Sequence, residues 1–358
     1  MTKPSIIHKR FRRATEKLLA NYDLVLNTRL LDEEYELIIA TSACKSVEQL
    51  NHAVNHISPF MKVSELPFIK LAVQKLCNLI YMDLLTREHH EDWFRVNVYG
   101  DLFDFTFISK SNYTTKRSEC HSSVIKHLKN LGLLPNDTKD VKLDFVFSHM
   151  NSKVGDTLFC EDKKNEKESC KDRRKADYVR EKCLKYWSTL LCDPGHIHHL
   201  TAFSCQFNKL ELRVKATKII NGITVHIILK QVSIPHDALD GVSIAEYLVT
   251  IISLVRMVAE NYEKLKIMMD ITKKDDIVFA KYQSQNLFKD SSSSSQSSKT
   301  ESSQSSVAES NDPDEEERKT RISQNIQAAL DKFNEESMKK YFDCTWDDLN
   351  TLSDDGCL

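Results

Sequence analysis

The sequence predicts an α/β protein: a mixed central sheet flanked by helices, with a helical N-terminal extension and a disordered C-terminal linker. Three observations carry this. Apolar residues recur at spacings of three and four over 47–57 and 66–80. The period drops to two in several stretches between residues 94 and 229. After Asp290 the composition collapses to Ser, Gln, Lys and Thr, then to the acidic run 312–317, and neither can bury enough apolar surface to fold.

Each element follows from its pattern. Residues 1–58 form the N-terminal helical extension, in which Val47, Leu50, Val54 and Ile57 make one apolar stripe. Ser64 can cap the next helix, Pro67 suits its first turn, and Leu66, Ile69, Val73, Leu76 and Ile80 supply its apolar face. From Phe94 the alternation of Val96 and Val98, then Phe103, Phe105 and Phe107, predicts two strands joined at Gly100-Asp101. A short helix over 124–131 ends at Gly132 and Pro135. The runs 141–148 and 156–160 predict a β-hairpin with Gly155 in its loop. Ala176, Val179, Cys183, Trp187 and Leu190 share one face of a helix over 171–191. Alternation over 201–216 and the Asn221-Gly222 turn into Ile223–Leu229 predict further strands. A long helix over about 238–266 closes the principal domain, 59–270. The linker is placed at 286–317. A C-terminal helix and acidic tail occupy 318–358, with Ile322, Ile326, Leu330 and Phe333 at helical spacing. The acidic-apolar tail around Phe342, Trp346 and Leu352 is a candidate protein-partner segment.

Composition excludes little. The 358 residues are 41% hydrophobic and 28% charged, with a net charge of -2. No apolar run reaches the roughly 20 residues of a membrane span, because 242–258 contains Glu246 and Arg256. The basic N-terminus lacks the apolar core of a secretory signal. Ten cysteines without paired spacing read as reduced thiols, which fits an intracellular protein of nucleus or cytoplasm. His196, His198 and His199 lack the further ligands a zinc site needs and read as solvated loop residues.

The chemistry concentrates around the 141–160 hairpin. Asp144 lies in its first strand and Glu161 ends its second, so antiparallel pairing can set the two carboxylates side by side. Glu161 and Lys163 are two residues apart and share a face if the strand continues. Two acids can hold a hard divalent cation, and a lysine beside them can orient water and offset phosphate charge. Residues 163–185 hold ten Lys/Arg and five Asp/Glu, a local positive excess that suits a polyanion, with Arg173, Arg174 and Lys175 as candidate phosphate contacts. A register slipped by one residue would pair Asp162 with Lys164 instead, and both alternatives remain open.

In this order of elements the chain resembles the restriction-endonuclease-like αβββαβ core of the PD-(D/E)XK nuclease superfamily, and more closely a group of uncharacterised fungal proteins with that core. The resemblance rests on Ser64-Glu65 opening a helix, Lys142-Leu143-Asp144-Phe145 in a strand, Glu161-Asp162-Lys163 at a strand end, the basic helix, and Ile234-Pro235 before the last helix. It spans roughly 60–270. Leu143 stands where the proline that names the motif would be. The resemblance implies Asp144, Glu161 and Lys163 as catalytic residues. It also implies Mg²⁺ (or Mn²⁺) held by Asp144 and Glu161 with a contribution from Glu65, and DNA or RNA as partner. The alternative is a catalytically inactive nuclease-like fold acting as a nucleic-acid-binding or protein-interaction module.

Overall fold

The computed structural model describes residues 26, 28–58, 64–110, 112–150, 153–162, 169–191, 193–236, 239–290 and 313–341. Its centre is a six-stranded mixed sheet whose spatial order follows the sequence: β1 Tyr113–His121, β2 Lys142–His149, β3 Asp156–Glu161, β4 Ala202–Asn208, β5 Glu211–Ile220 and β6 Ile223–Ser233. Neighbours pair antiparallel except β3 and β4, which are parallel. A parallel pair needs a crossover. Here the helix Ser169–Ser188 supplies it, followed by a 3-10 turn, Pro194–His199.

The predicted hairpin is present, with Phe145 opposite Cys160 and Phe147 opposite Leu158. The Asn221-Gly222 turn is also present, and both residues take the positive φ (49° and 77°) that a tight two-residue hairpin requires. Helices α1 Asp32–Ser42, α2 Val47–Asn55 and α3 Leu66–Tyr81 precede the sheet. Ser46 caps α2 by accepting from the Gln49 N–H at 3.3 Å.

The stretch from 94 to 107 is helical, contrary to the predicted strands. One helix, α4, begins at Glu91–Phe94, widens to a π-helix over Arg95–Asp104 and closes with a turn at Phe105–Ile108. Its buried residues, Phe94, Val98, Leu102 and Phe103, then Phe107, recur about every four positions, whereas Val96 is 72% exposed. The apparent alternation of period two sampled only part of this face. Strand β1 was not foreseen: it lies at the sheet edge, and only Cys120 among its residues is buried. A bulge between Arg117 and Cys120 places Ser118 and Glu119 at positive φ.

The remaining helices are α5 Ser123–Asn130, α6 Ser169–Ser188, α7 Gly241–Asp290 and α8 Pro313–Lys340. Helix α7 contains a stretch apolar and long enough to cross a membrane, but 78% of that window is buried inside the protein. The linker placed at 286–317 is helical at both ends: 286–290 continue α7 and 313–317 open α8, where Pro313 fits the first turn and the acids favour the helix dipole. Between them 291–312 lie outside the described residues, as does the tail from 342 onward. Ile322, Ile326 and Leu330 of α8 are buried against Tyr262, Leu265 and Met268 of α7.

Arg256 of α7 forks onto Glu34 of α1 with two bonds of 2.7 Å, and Glu34 also accepts the Glu65 N–H at 2.6 Å. These contacts tie α1, the start of α3 and α7 together. Gly241, the first residue of α7, lies against the end of α1, where a Cβ would fall 2.6 Å from the Thr41 carbonyl oxygen and 2.7 Å from that of Ser42. Because both obstacles are backbone, Gly241→Ala is expected to cost about 1–3 kcal/mol, read as a lower urea midpoint. A midpoint equal to wild type would show that the α1–α7 junction yields freely.

Candidate active site

Strand pairing places the two predicted acids just past the last paired residues of β2 and β3, with their side chains on different partners. Phe145 pairs with Cys160, so one further step along the ladder sets Asp144 beside Glu161. On β2 and β3, Phe145, Phe147, Leu158 and Cys160 face the larger core, while Leu143, Val146 and Phe159 face α6. Glu161 follows Phe159 in alternation and meets α6, where its carboxylate pairs with the Lys175 ammonium. Lys175 also donates to the Lys142 carbonyl at 2.9 Å. A residue expected on phosphates is thus fixed to the acid itself. Arg174 is exposed; the side chain of Arg173 and all of Lys163 and Lys164 lie outside the described residues.

Asp162 takes the other face. Its side chain has no exposed surface, and its Oδ2 accepts from Arg95 Nε and from Arg117 Nη1, each at 2.8 Å. Arg95 Nη2 reaches Asp144 Oδ1 at 2.9 Å, and the Asp162 N–H donates to Asp144 Oδ2 at 2.9 Å. Arg117 continues the chain as a fork onto Asp104, with bonds of 2.8 and 2.9 Å, and lies over the rings of Phe145 and Tyr99. Asp144 therefore neighbours both acids of the open alternative: Glu161 through the ladder and Asp162 through Arg95. Glu65 belongs to a different ion cluster, where its carboxylate pairs with Lys110 beside Glu34.

Burial dominates the electrostatics. It pushes the Asp104 carboxyl up to about 6, against the pull of Arg117. Burial also raises Asp162, with Asp144 adding to the shift and Arg117 and Arg95 opposing it. It works against the Arg95 charge as well, but the Asp162 bond and the neighbouring carboxylates outweigh it and hold Arg95 above its ordinary value. Cys160 is fully buried, and that burial pushes its thiol well up, as suits a packing residue rather than a nucleophile.

Several residues were not foreseen. Glu161 pairs in register with Gln206 on β4, and the Gln206 amide oxygen accepts from Lys215 of β5 at 3.0 Å. The Gln206 amide nitrogen is buried without a partner among the described residues. Further along, the buried Arg180 guanidinium of α6 bonds Ser204, Thr217 and Asp177. The sheet beneath α6 is thus polar from Glu161 across to Lys215. The signal was present: in β4 and β5 the apolar residues Phe203, Cys205, Phe207, Leu212 and Val214 alternate with Ser204, Gln206, Arg213 and Lys215.

Among the described residues no three His, Cys, Asp or Glu side chains are grouped to hold a metal ion. The oxygen donors of Asp144 and Glu161 suit a hard cation that keeps several waters. Each is already countered, Asp144 by Arg95 and Glu161 by Lys175. The chain matches no protein-family model, no curated protein and no solved structure.

The raised Asp104 pKa fixes a pH dependence. The folded state keeps this proton where the unfolded chain, with a carboxyl near 3.8, has released it, so stability is lost as pH rises from about 4 to about 6. Asp104→Asn removes that component. Its urea midpoint relative to wild type should climb as pH rises through the window, and parallel midpoint curves would sink the assignment.

Proposed function

We propose that the chain is a nuclease-like protein acting on the phosphodiester backbone of DNA or RNA at the β2–β3 strand end. One observation supports this: Asp144 and Glu161 stand one step beyond the Phe145–Cys160 pair of an antiparallel ladder, with Lys175 of the flanking helix on Glu161 and a polar sheet face beside it. On this reading α3, β1, β2, β3, α6 and β4 correspond to the αβββαβ core of the PD-(D/E)XK superfamily. Asp144 and Glu161 would hold Mg²⁺ or Mn²⁺, which would supply Lewis acidity at the phosphate. Lys175 and Lys163 offset phosphate charge and orient the attacking water. Arg95 must turn off Asp144 to free an oxygen, and it keeps Asp162 while doing so. Arg173, Arg174 and the rest of the basic 163–185 stretch track the polyanion. A nuclear or cytoplasmic site of action, and a protein partner for the tail beyond 342, belong to the same proposal.

A second reading is supported by the ion pairs. With Arg95 on Asp144 and Lys175 on Glu161, each of the two acids already has a cation without a metal. A catalytically silent module that binds nucleic acid or protein would keep that arrangement.

Calorimetry with Mn²⁺ and cleavage of plasmid DNA and structured RNA separate the two. The nuclease reading expects Mn²⁺ binding that Asp144→Asn and Glu161→Gln abolish, with cleavage lowered about a hundredfold or more in either variant. Lys175→Ala should slow cleavage while retaining metal. Wild-type protein that takes up no Mn²⁺ and cuts neither substrate overturns catalysis. Retained nucleic-acid binding in Asp144→Asn would then favour the silent module.

A further inference from the structure

A cavity of about 630 Å³ opens toward the other end of the strands. Lys218 follows Thr217, which pairs with Ala202 at the start of β4, whereas Glu161 pairs with Gln206 near its end. The walls come from the 3-10 turn, the β5–β6 hairpin, α7 and α8. Two lining lysines, Lys218 and Lys264, are cationic, and His198 and His199 add imidazole groups beside them. Among the described residues no Asp or Glu lines it. The acids on the adjoining segments have other partners. Asp193 accepts from the Gly195 N–H at 2.7 Å, and Glu260 accepts from Arg29 and from Ser337. His198 is exposed, as the sequence suggested, but His196 is buried and His199 half-buried, with the His196 ring stacked on both.

We propose that this cavity binds a small phosphorylated organic molecule, its phosphate held by Lys218, Lys264 and the His198–His199 pair and its apolar or aromatic body against Ile219, Ile220 and Leu330. The volume falls within the few hundred to about a thousand Å³ typical of small-ligand sites, and a few convergent polar groups on an apolar wall are their usual makeup. Burial pushes the His199 imidazole down to about 4, and His198, His196, Lys218 and Lys264 push the same way. The His199 Nε2 is buried with no partner among the described residues. Since Leu330 and Asn334 of α8 form part of the wall, a bound molecule also links the C-terminal helix to the sheet.

The probes are AMP, inorganic phosphate and adenosine, applied to the full chain. AMP is expected to bind and to raise Tm by mass action, inorganic phosphate to bind more weakly, and adenosine not to bind. Amide exchange in α8 should slow with AMP. Lys264→Glu and His198→Ala should each weaken AMP at least about tenfold, about 1.4 kcal/mol, with unchanged circular dichroism. Asp144→Asn, at the other end of the sheet, should leave the affinity unchanged, so this result is independent of whether the acids bind metal. The proposal is overturned if neither AMP nor inorganic phosphate binds at millimolar concentration. It is equally overturned if AMP affinity survives both cavity variants or is lost in Asp144→Asn.

Discussion

Asp162 is a carboxylate without exposed surface, and its burial demands two guanidinium groups. A buried charge left unpaired costs several kcal/mol, so α4 and β1 must each deliver an arginine to one point below the end of β3. This constraint accounts for the unusual shape of α4. Arg95 and Asp104 are nine residues apart. In an α-helix of about 3.6 residues per turn they would stand on opposite sides. In a π-helix of about 4.4 residues per turn, nine residues make close to two turns, and both side chains reach the same cluster. The β1 bulge just after Arg117 is a second local distortion at this junction.

The two faces of the sheet divide the work. Phenylalanines 103, 107, 145 and 207 pack edge-on within the larger core. Away from the Asp162 cluster that face is apolar, and α7 covers it with an apolar length. Beneath α6 the row Glu161, Gln206, Lys215, Ser204, Thr217 and Arg180 is buried and polar. A buried network of this kind stabilises little compared with apolar packing of the same volume, and each member must be satisfied.

Much of this was legible where the signal was local. The hairpin of 141–160 showed through two short apolar runs around Gly155, and with it came the adjacency of Asp144 and Glu161. Asn221-Gly222 fixed the β5–β6 turn for the same reason. Helix α4 was not legible, because a four-residue recurrence with aromatic residues between its positions imitates alternation. Strand β1 was not legible either: an edge strand buries few residues, so its pattern is weak. The partners of the acids lie beyond any spacing rule, since Arg95 meets Asp144 across 49 positions and Asp162 across 67. Sequence reasoning could place the carboxylates but not the cations that hold them.

Those cations decide how the site can respond. Arg95 gives Asp144 a single N–H bond, from a nitrogen that also serves Glu91, while its Nε stays on Asp162. Asp144 is about one-quarter exposed and keeps the Asp162 N–H on its other oxygen. Losing Arg95 from Asp144 therefore breaks one partly solvated contact and leaves no buried charge without a partner. Releasing Asp162 would be far more costly, because two arginines would lose their shared acceptor in the interior. The two carboxylates beside Asp144 thus differ in kind. Asp162 holds the fold together at the junction of α4, β1 and β3. Asp144, partly exposed, and Glu161, almost wholly buried, take their cations from different elements, Arg95 of α4 and Lys175 of α6.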